Sequence, residues 1–206
     1  MKIFLYITFL TTIISTFVQA QVVSYKPGEK MTYTIQYGII TAGNATLNLV
    51  GDTLNGKEVW HAKLAARTTG MAEAFFKVLD IYESYIDTVT ELPVKSIRNV
   101  REGRYRNYNE VLFDHESRSD SSILNSDLTG IHIAPPRIHD ILSCFYYFRN
   151  HILPVDSNLK KGELTTIITW FCDELYPIRL RYIGTDVVKT KVGKIKCYKF
   201  NPVTET

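Results

Sequence analysis

Cysteine is scarce in this chain of 206 residues: only Cys144, Cys172 and Cys197. Three are too few for a disulfide-stapled scaffold and allow at most one bridge, and none forms the C-x-x-C pair that would point to zinc or thiol redox chemistry. Glycine (11) and proline (7) are also few, which excludes collagen-like and low-complexity chains. An excess of one charge is missing as well. The 24 basic and 21 acidic residues leave a net charge of +3, too little to suggest a nucleic-acid partner. After the N-terminus no apolar run approaches the ~20 residues of a membrane-spanning helix. Disorder is excluded by the 45% of hydrophobic residues, which offer enough burial to offset the entropy of ordering. What remains is one ordinary globular domain.

The N-terminus differs from the rest. Met1-Lys2 is a short positive start, and Ile3 to Val18 is almost free of polar groups beyond Thr and Ser. Val18-Gln19-Ala20 then places small residues three and one positions before a cut after Ala20. This is the tripartite form of a secretory signal peptide. Residues 1–20 are therefore expected to be removed on export across the inner membrane into the periplasm. A retained anchor would need a longer apolar run with basic flanks. No transmembrane anchor is expected after cleavage, and no cysteine stands at the cut for lipid attachment.

Residues 21–206 are dominated by period-two alternation, the mark of half-buried antiparallel strands. Met31, Tyr33, Ile35 and Tyr37 alternate with Thr32, Thr34 and Gln36. Ala45, Leu47 and Leu49 do the same, as do Trp60, Ala62, Leu64 and Ala66. Gly38 and Thr41-Ala42-Gly43 mark a first connection. Asn55-Gly56 marks a second, because both positions tolerate positive φ. Residues 30–68 thus predict a three-stranded meander. Met71 to Lys77 predicts one or two helical turns, and Val78 to Asp87 a strand. Val94 to Arg101 and Arg104 to Asp114 predict a hairpin, and Ser117 to Leu124 a short further strand. Asn125 to Pro136 reads as a loop. A helix over about 140–150 follows, with Asp140 as N-cap. Leu164 to Cys172, Pro177 to Gly184, Asp186 to Lys191 and Lys194 to Asn201 predict four more strands. The fold class is therefore mainly β: a large curved antiparallel sheet or open barrel with one helix packed on or across it. The chain stops at Thr206 just past a strand, so this single domain is expected to be truncated at its C-terminal end.

Three stretches together resemble a bacterial family of secreted proteins known only as domain of unknown function 3108. The first is Pro27-Gly28-Glu29-Lys30-Met31-Thr32-Tyr33, followed by Tyr37-Gly38 and Ala42-Gly43. The second is Val78 to Pro93, with Ser84-Tyr85-Ile86-Asp87. The third is Asp140 to Arg149. Family members often carry Pro after this Asp, where Ile141 stands here. The resemblance implies a periplasmic or secreted β-rich protein with no assigned activity, and further strands near Thr206. It also implies a layout similar to the half-barrel of periplasmic lipoprotein carriers, an analogy of fold that says little about function.

Signals for catalysis are weak. His139 and Cys144 offer a nucleophile and base only by adjacency, and such pairs are recognised by mutual geometry. His132, His139 and Asp140 match no metal-ligand spacing. Asp80 and Glu83 fall on opposite faces of a regular strand, and Asp173-Glu174 reads as a turn, so neither makes a carboxylate pair. No G-x-S-x-G elbow is present. No cofactor, no metal and no enzymatic activity are expected.

Two features point to binding. Arg98, Arg101, Arg104 and Arg106, interleaved with Tyr105 and Tyr108, form a basic hairpin that can meet anionic groups. Aromatic residues concentrate in the two helical pieces. Trp60, Phe75, Phe76, Phe145, Tyr146 and Arg149 are the candidates to line a pocket on the concave face of the sheet. The expected function is non-catalytic binding of an apolar or amphipathic cell-envelope ligand, such as a lipid. The alternative is an assembly module that meets an envelope protein through a sheet edge or the Arg-rich hairpin 98–108.

Overall fold

The computed structural model describes residues 24–153, 159–190 and 192–203; the expected signal peptide over residues 1–20 lies outside them. Eight strands follow one another as an antiparallel meander: β1 Lys30–Tyr37, β2 Ile40–Leu54, β3 Lys57–Thr68, β4 Leu79–Asp87, β5 Pro93–Glu102, β6 Tyr105–Asp114, β7 Ser122–Ser126 and β8 Gly130–Ala134. A second sheet contains β9 Leu164–Phe171, β10 Glu174–Thr190 and β11 Gly193–Pro202, with β10 in the middle. Helix α1 is Met71–Phe75, and α2, Ile141–Tyr147, continues into a π-helical turn at Phe148–Ile152. The large sheet does not close into a barrel. No helix of the described residues is long and apolar enough to cross a membrane.

Alternation fixes the faces. The register sets Leu47 beside Leu64, and Leu49 beside Ala62. It also sets Trp60 beside Ile86, Leu64 beside Tyr82, and Tyr82 beside Arg98. These positions share one face, the inner face. Helix α2 covers part of it. Tyr25, Leu142 and Tyr146 pack there on Leu47, Leu49, Ala62 and Ile86. Farther along, Trp170 of β9 and Ile138 pack on Val111, Phe113, Leu124 and Ala134. Burial of each large side chain contributes about 1.5–3 kcal/mol. The space beneath α2 is therefore filled by side chains.

Five expectations are corrected. Residues 125–136 are not all loop, since β8 lies inside them with Ile131 and Ile133 exposed. Residues 177–190 form one long strand rather than two. Gly184 (φ 127°) does not end β10 but follows a bulge, where the register slips past Ile183. The strand expected from Ser117 begins only at Ser122. Thr41-Ala42-Gly43 is not the first connection but lies within β2, where Ala42 is the extra residue of a bulge. Asn55 (φ 52°) and Gly56 (φ 79°) turn the β2–β3 hairpin as predicted. Cys172 (φ 54°) and Asp173 (φ 60°) turn the β9–β10 hairpin in the same left-handed way, one residue earlier than the Asp173-Glu174 turn expected.

Candidate functional site

Helix α2 is held at both ends by side chains that the sequence places far away. At its start the Asp140 carboxylate accepts from the amides of Leu142 and Ser143, each at 2.8 Å. Ser143 Oγ accepts from the Asp140 amide at 2.9 Å, which completes a reciprocal cap. Ser84 Oγ of β4 donates to Asp140 Oδ2 at 2.5 Å. This ties the helix to the inner face. At its end Arg149 forms a two-pronged pair with Glu29, and Nη2 also donates to Ser24 O at 2.9 Å. Asn150 Nδ2 donates to Glu91 Oε1 at 2.7 Å. The three stretches that carry the family resemblance thus converge on this helix.

The aromatic candidates separate into two groups. Tyr146 is fully buried, and Trp60 and Phe145 pack against the same core. The Arg149 guanidinium lies over the rings of Phe145 and Tyr146, at 5.3 and 5.7 Å. The structure brings these four together, but as core and clamp. Phe75 and Phe76 are exposed by 85% and 54%. They sit at α1, where Phe76 lies against Gly103 of the β5–β6 turn, and do not join the others.

The basic hairpin also divides. Arg101 and Arg106 pair across β5 and β6 on the outer face. Arg106 Nη1 is held by the carbonyls of Gly103 and Tyr105, at 2.8 and 2.7 Å, and Arg104 lies in the turn. Arg98 falls on the inner face instead. There it lines a narrow cleft of about 40 Å³ that opens to solvent. The floor is Tyr82, Ser96, Arg98, Asn109 and Val111 of β4–β6, and the walls are Ile141 and Leu142 of α2 with Trp170 and Phe171 of β9.

The cleft combines apolar walls with a few fixed polar groups. Arg98 Nη1 donates to Asn107 Oδ1 at 2.7 Å, and the guanidinium lies 5.7 Å from the Phe171 ring centre. The Tyr82 and Tyr105 side chains lie close beside it. Its Nε–H is buried and has no partner among the described residues, and neither has the indole N–H of Trp170. Buried donors of this kind are rare, because an unmade hydrogen bond costs about 1–3 kcal/mol. Beside them, Asn109 Nδ2 and Ser126 Oγ donate to Asp173 Oδ2 at 3.2 and 3.0 Å. This fixes the β9–β10 turn over β6 and β7.

The sequence reading missed Trp170, Phe171, Tyr82 and Asn109 as site residues, and it counted Arg98 with the surface. A signal was present. Along β5 the inner positions are Ser96, Arg98 and Val100. A guanidinium between two residues of a covered face marks a polar site.

The remaining chemistry is quiet. Burial pushes the Cys144 thiol up to about 12 and His139 down to about 4. His139 Nδ1 meets Ser143 Oγ at 3.2 Å, and no thiolate is available at Cys144 near neutral pH. His132 Nε2 is paired with Thr129 Oγ1 at 2.7 Å. No group of three or more His, Cys, Asp or Glu among the described residues is placed to hold a metal ion.

Comparison with curated proteins and with solved structures finds no match. A family model does match, over residues 32–206, and its description is "Protein of unknown function (DUF3108)". That span contains α2, the Ser84 tie and the whole cleft, and the chain belongs to the DUF3108 family.

Proposed function

We propose that this chain is an exported, non-catalytic binding protein of the cell envelope, and that it holds an amphipathic anionic molecule in the cleft beside α2. The observation that carries this reading is the pair of buried, unpartnered donors, Arg98 Nε–H and Trp170 Nε1–H, in a cleft walled by apolar side chains. A carboxylate or phosphate on an apolar chain supplies both halves of what such a site needs. The apolar part has a route out of the cleft. Ala45, Leu64, Ala66 and Tyr82 continue the inner face beyond α2 and are only half-buried.

The test uses a dansylated C11 fatty acid as probe. Trp60→Phe leaves Trp170 as the only indole, because the chain has two Trp. Titration is expected to quench Trp170 emission with saturation in the micromolar range. Arg98→Gln is expected to weaken binding about tenfold or more, by the loss of one charge-assisted hydrogen bond. No saturable quenching, or equal affinity in Arg98→Gln, overturns the reading. Native mass spectrometry of the exported protein, recovered without detergent, tests whether an amphiphile travels with it. N-terminal sequencing of the same material tests cleavage after Ala20.

A further inference from the structure

Among the described residues the two sheets present four edges, and three of them are protected. β11 carries Lys194, Lys196 and Lys199 and ends in Pro202, the charges and proline that discourage strand addition. β8 has only five residues. The free side of β9 is taken at Thr169 and Trp170 by His139, whose carbonyl accepts from the Trp170 amide at 2.7 Å. β1 differs. From Met31 to Tyr37 it has no charge, no Gly and no Pro. Tyr33 and Ile35 are each 46% exposed, and Tyr37 85%. The bulge in its ladder belongs to β2, at Ala42, so β1 itself stays regular.

We propose that β1 pairs antiparallel with β1 of a second copy of this chain, centred on Thr34. The inference is independent of the cleft. The hydrogen-bond alternation permits it. The Leu49 amide donates to Glu29 O at 2.9 Å, and residue 31 stands opposite 47. Odd-numbered residues of β1 therefore bond to β2, and the amides and carbonyls of Thr32, Thr34 and Gln36 face outward. A two-fold axis at Thr34 brings outward-facing groups to outward-facing groups along the whole strand.

The side chains then match themselves. Tyr33 meets Ile35, and Met31 meets Tyr37, on the inner face. Thr34 meets Thr34, and Thr32 meets Gln36, on the outer face. Aromatic–aliphatic and Thr–Thr neighbours are the favourable cross-strand pairs, and no like charges oppose each other over this span. The interface is isologous, as closed dimers require.

The test is register-specific crosslinking in the full chain. Cys172→Ser and Cys197→Ser remove the two cysteines that are not buried. In that background Thr34→Cys is expected to form a reducible disulfide dimer, because directly opposed hydrogen-bonded residues lie about 5.5 Å apart at Cα. Thr32→Cys alone is not, since its partner is Gln36; mixed with Gln36→Cys it is expected to crosslink. Sedimentation of the unmodified chain is expected to show a dimer at about 100 μM that dissociates on dilution, as a small interface would. Thr34→Pro removes a central donor and is expected to weaken the dimer at least tenfold with unchanged far-ultraviolet circular dichroism. A monomer at all concentrations, or equal crosslinking at positions 32 and 34, overturns the proposal. Should Thr34→Pro fail to fold, the cysteine series decides alone.

Discussion

Arg149 grips Glu29 through two parallel hydrogen bonds, Nη1 to Oε1 at 2.5 Å and Nη2 to Oε2 at 2.8 Å, although 120 residues separate them. The pair closes the end of α2 onto the segment that leads into β1. Only about a fifth of each side chain is exposed, so water competes weakly for either charge. Arg149→Ala is expected to cost about 2–4 kcal/mol, because it removes the fork, uncovers two aromatic rings and strands Glu29. A double-mutant cycle with Glu29→Gln, followed by urea denaturation, is expected to give a coupling of about 1.5–3 kcal/mol. Additive single effects would show that the pair is ornamental.

The hydroxyls of Tyr25 and Tyr146 are both buried in the core under α2 and have no hydrogen-bond partner among the described residues. The rings themselves pack edge to face, 4.8 Å apart. Replacing a core Tyr by Phe usually loses a hydrogen bond. Here it removes a desolvated donor with nothing to bond and keeps the ring. Tyr146→Phe is therefore expected to raise stability by about 1 kcal/mol, or about 2–4 °C in melting temperature for a domain of this size. A loss of stability would mean that the hydroxyl has a partner after all, such as a bound water.

Much of the fold is legible because alternation is a local property. The meander from Lys30 to Thr68 follows from period-two spacing and one Asn-Gly turn, and α2 from a capping Asp before a run of aromatic residues. β8 is illegible for a physical reason. Its apolar Ile131 and Ile133 face solvent while His132 turns inward, its ring 4.9 Å from the Trp170 ring, so the pattern is inverted. β10 defeats the same logic, because a glycine that permits a bulge looks like one that ends a strand. The site was less legible than the fold. The cleft needs Tyr82, Asn109 and Phe171 from three strands, and only pairing across the sheets brings them to Arg98. Phe75 and Phe76 misled because helix-forming neighbours suggest a packed helix, whereas α1 is five residues long and buries none of its side chains.

Gly43 shows a different constraint. A Cβ there would lie 2.4 Å from the Arg67 carbonyl oxygen on β3, a backbone atom that has no way to swing aside. Gly51, farther along β2, has open space at the same position. Gly43→Ala is expected to cost about 1–3 kcal/mol by forcing β2 and β3 apart at the bulge. Gly51→Ala is expected to be neutral, or to stabilise by up to about 1 kcal/mol through the unfolded chain. Thermal melts of the two variants side by side check this. Equal effects would mean that the β2–β3 spacing adjusts freely.

Two neighbouring buried groups, His139 and Asp140, pull the pH dependence in opposite directions. Burial pushes the Asp140 carboxyl up to about 6, against the hydrogen bonds from Ser84 and the helix amides. Its folded form holds a proton more tightly than its unfolded form, so its contribution is present in acid and is lost as pH rises through about 6. Burial pushes His139 down to about 4 from an ordinary 6.5. Its contribution is present above 6.5 and is lost as pH falls through about 4. Each is worth about 3 kcal/mol at full extent, so together they nearly cancel between pH 4 and 6.5. Asp140→Asn removes one side of this balance while keeping an oxygen for the Leu142 and Ser143 amides. Its stability is expected to match or exceed that of the unmodified chain at pH 7 and to fall by about 3 kcal/mol as pH drops from 6.5 to 4. His139→Gln is expected to do the reverse and gain stability on acidification. Asp140→Ala, which also loses the cap, is expected to cost a further 1 kcal/mol or about that much at every pH. Urea midpoints at pH 4.5, 5.5 and 7 measure all three slopes. Parallel slopes in Asp140→Asn and His139→Gln would show that neither group's pKa differs between the folded and unfolded chain.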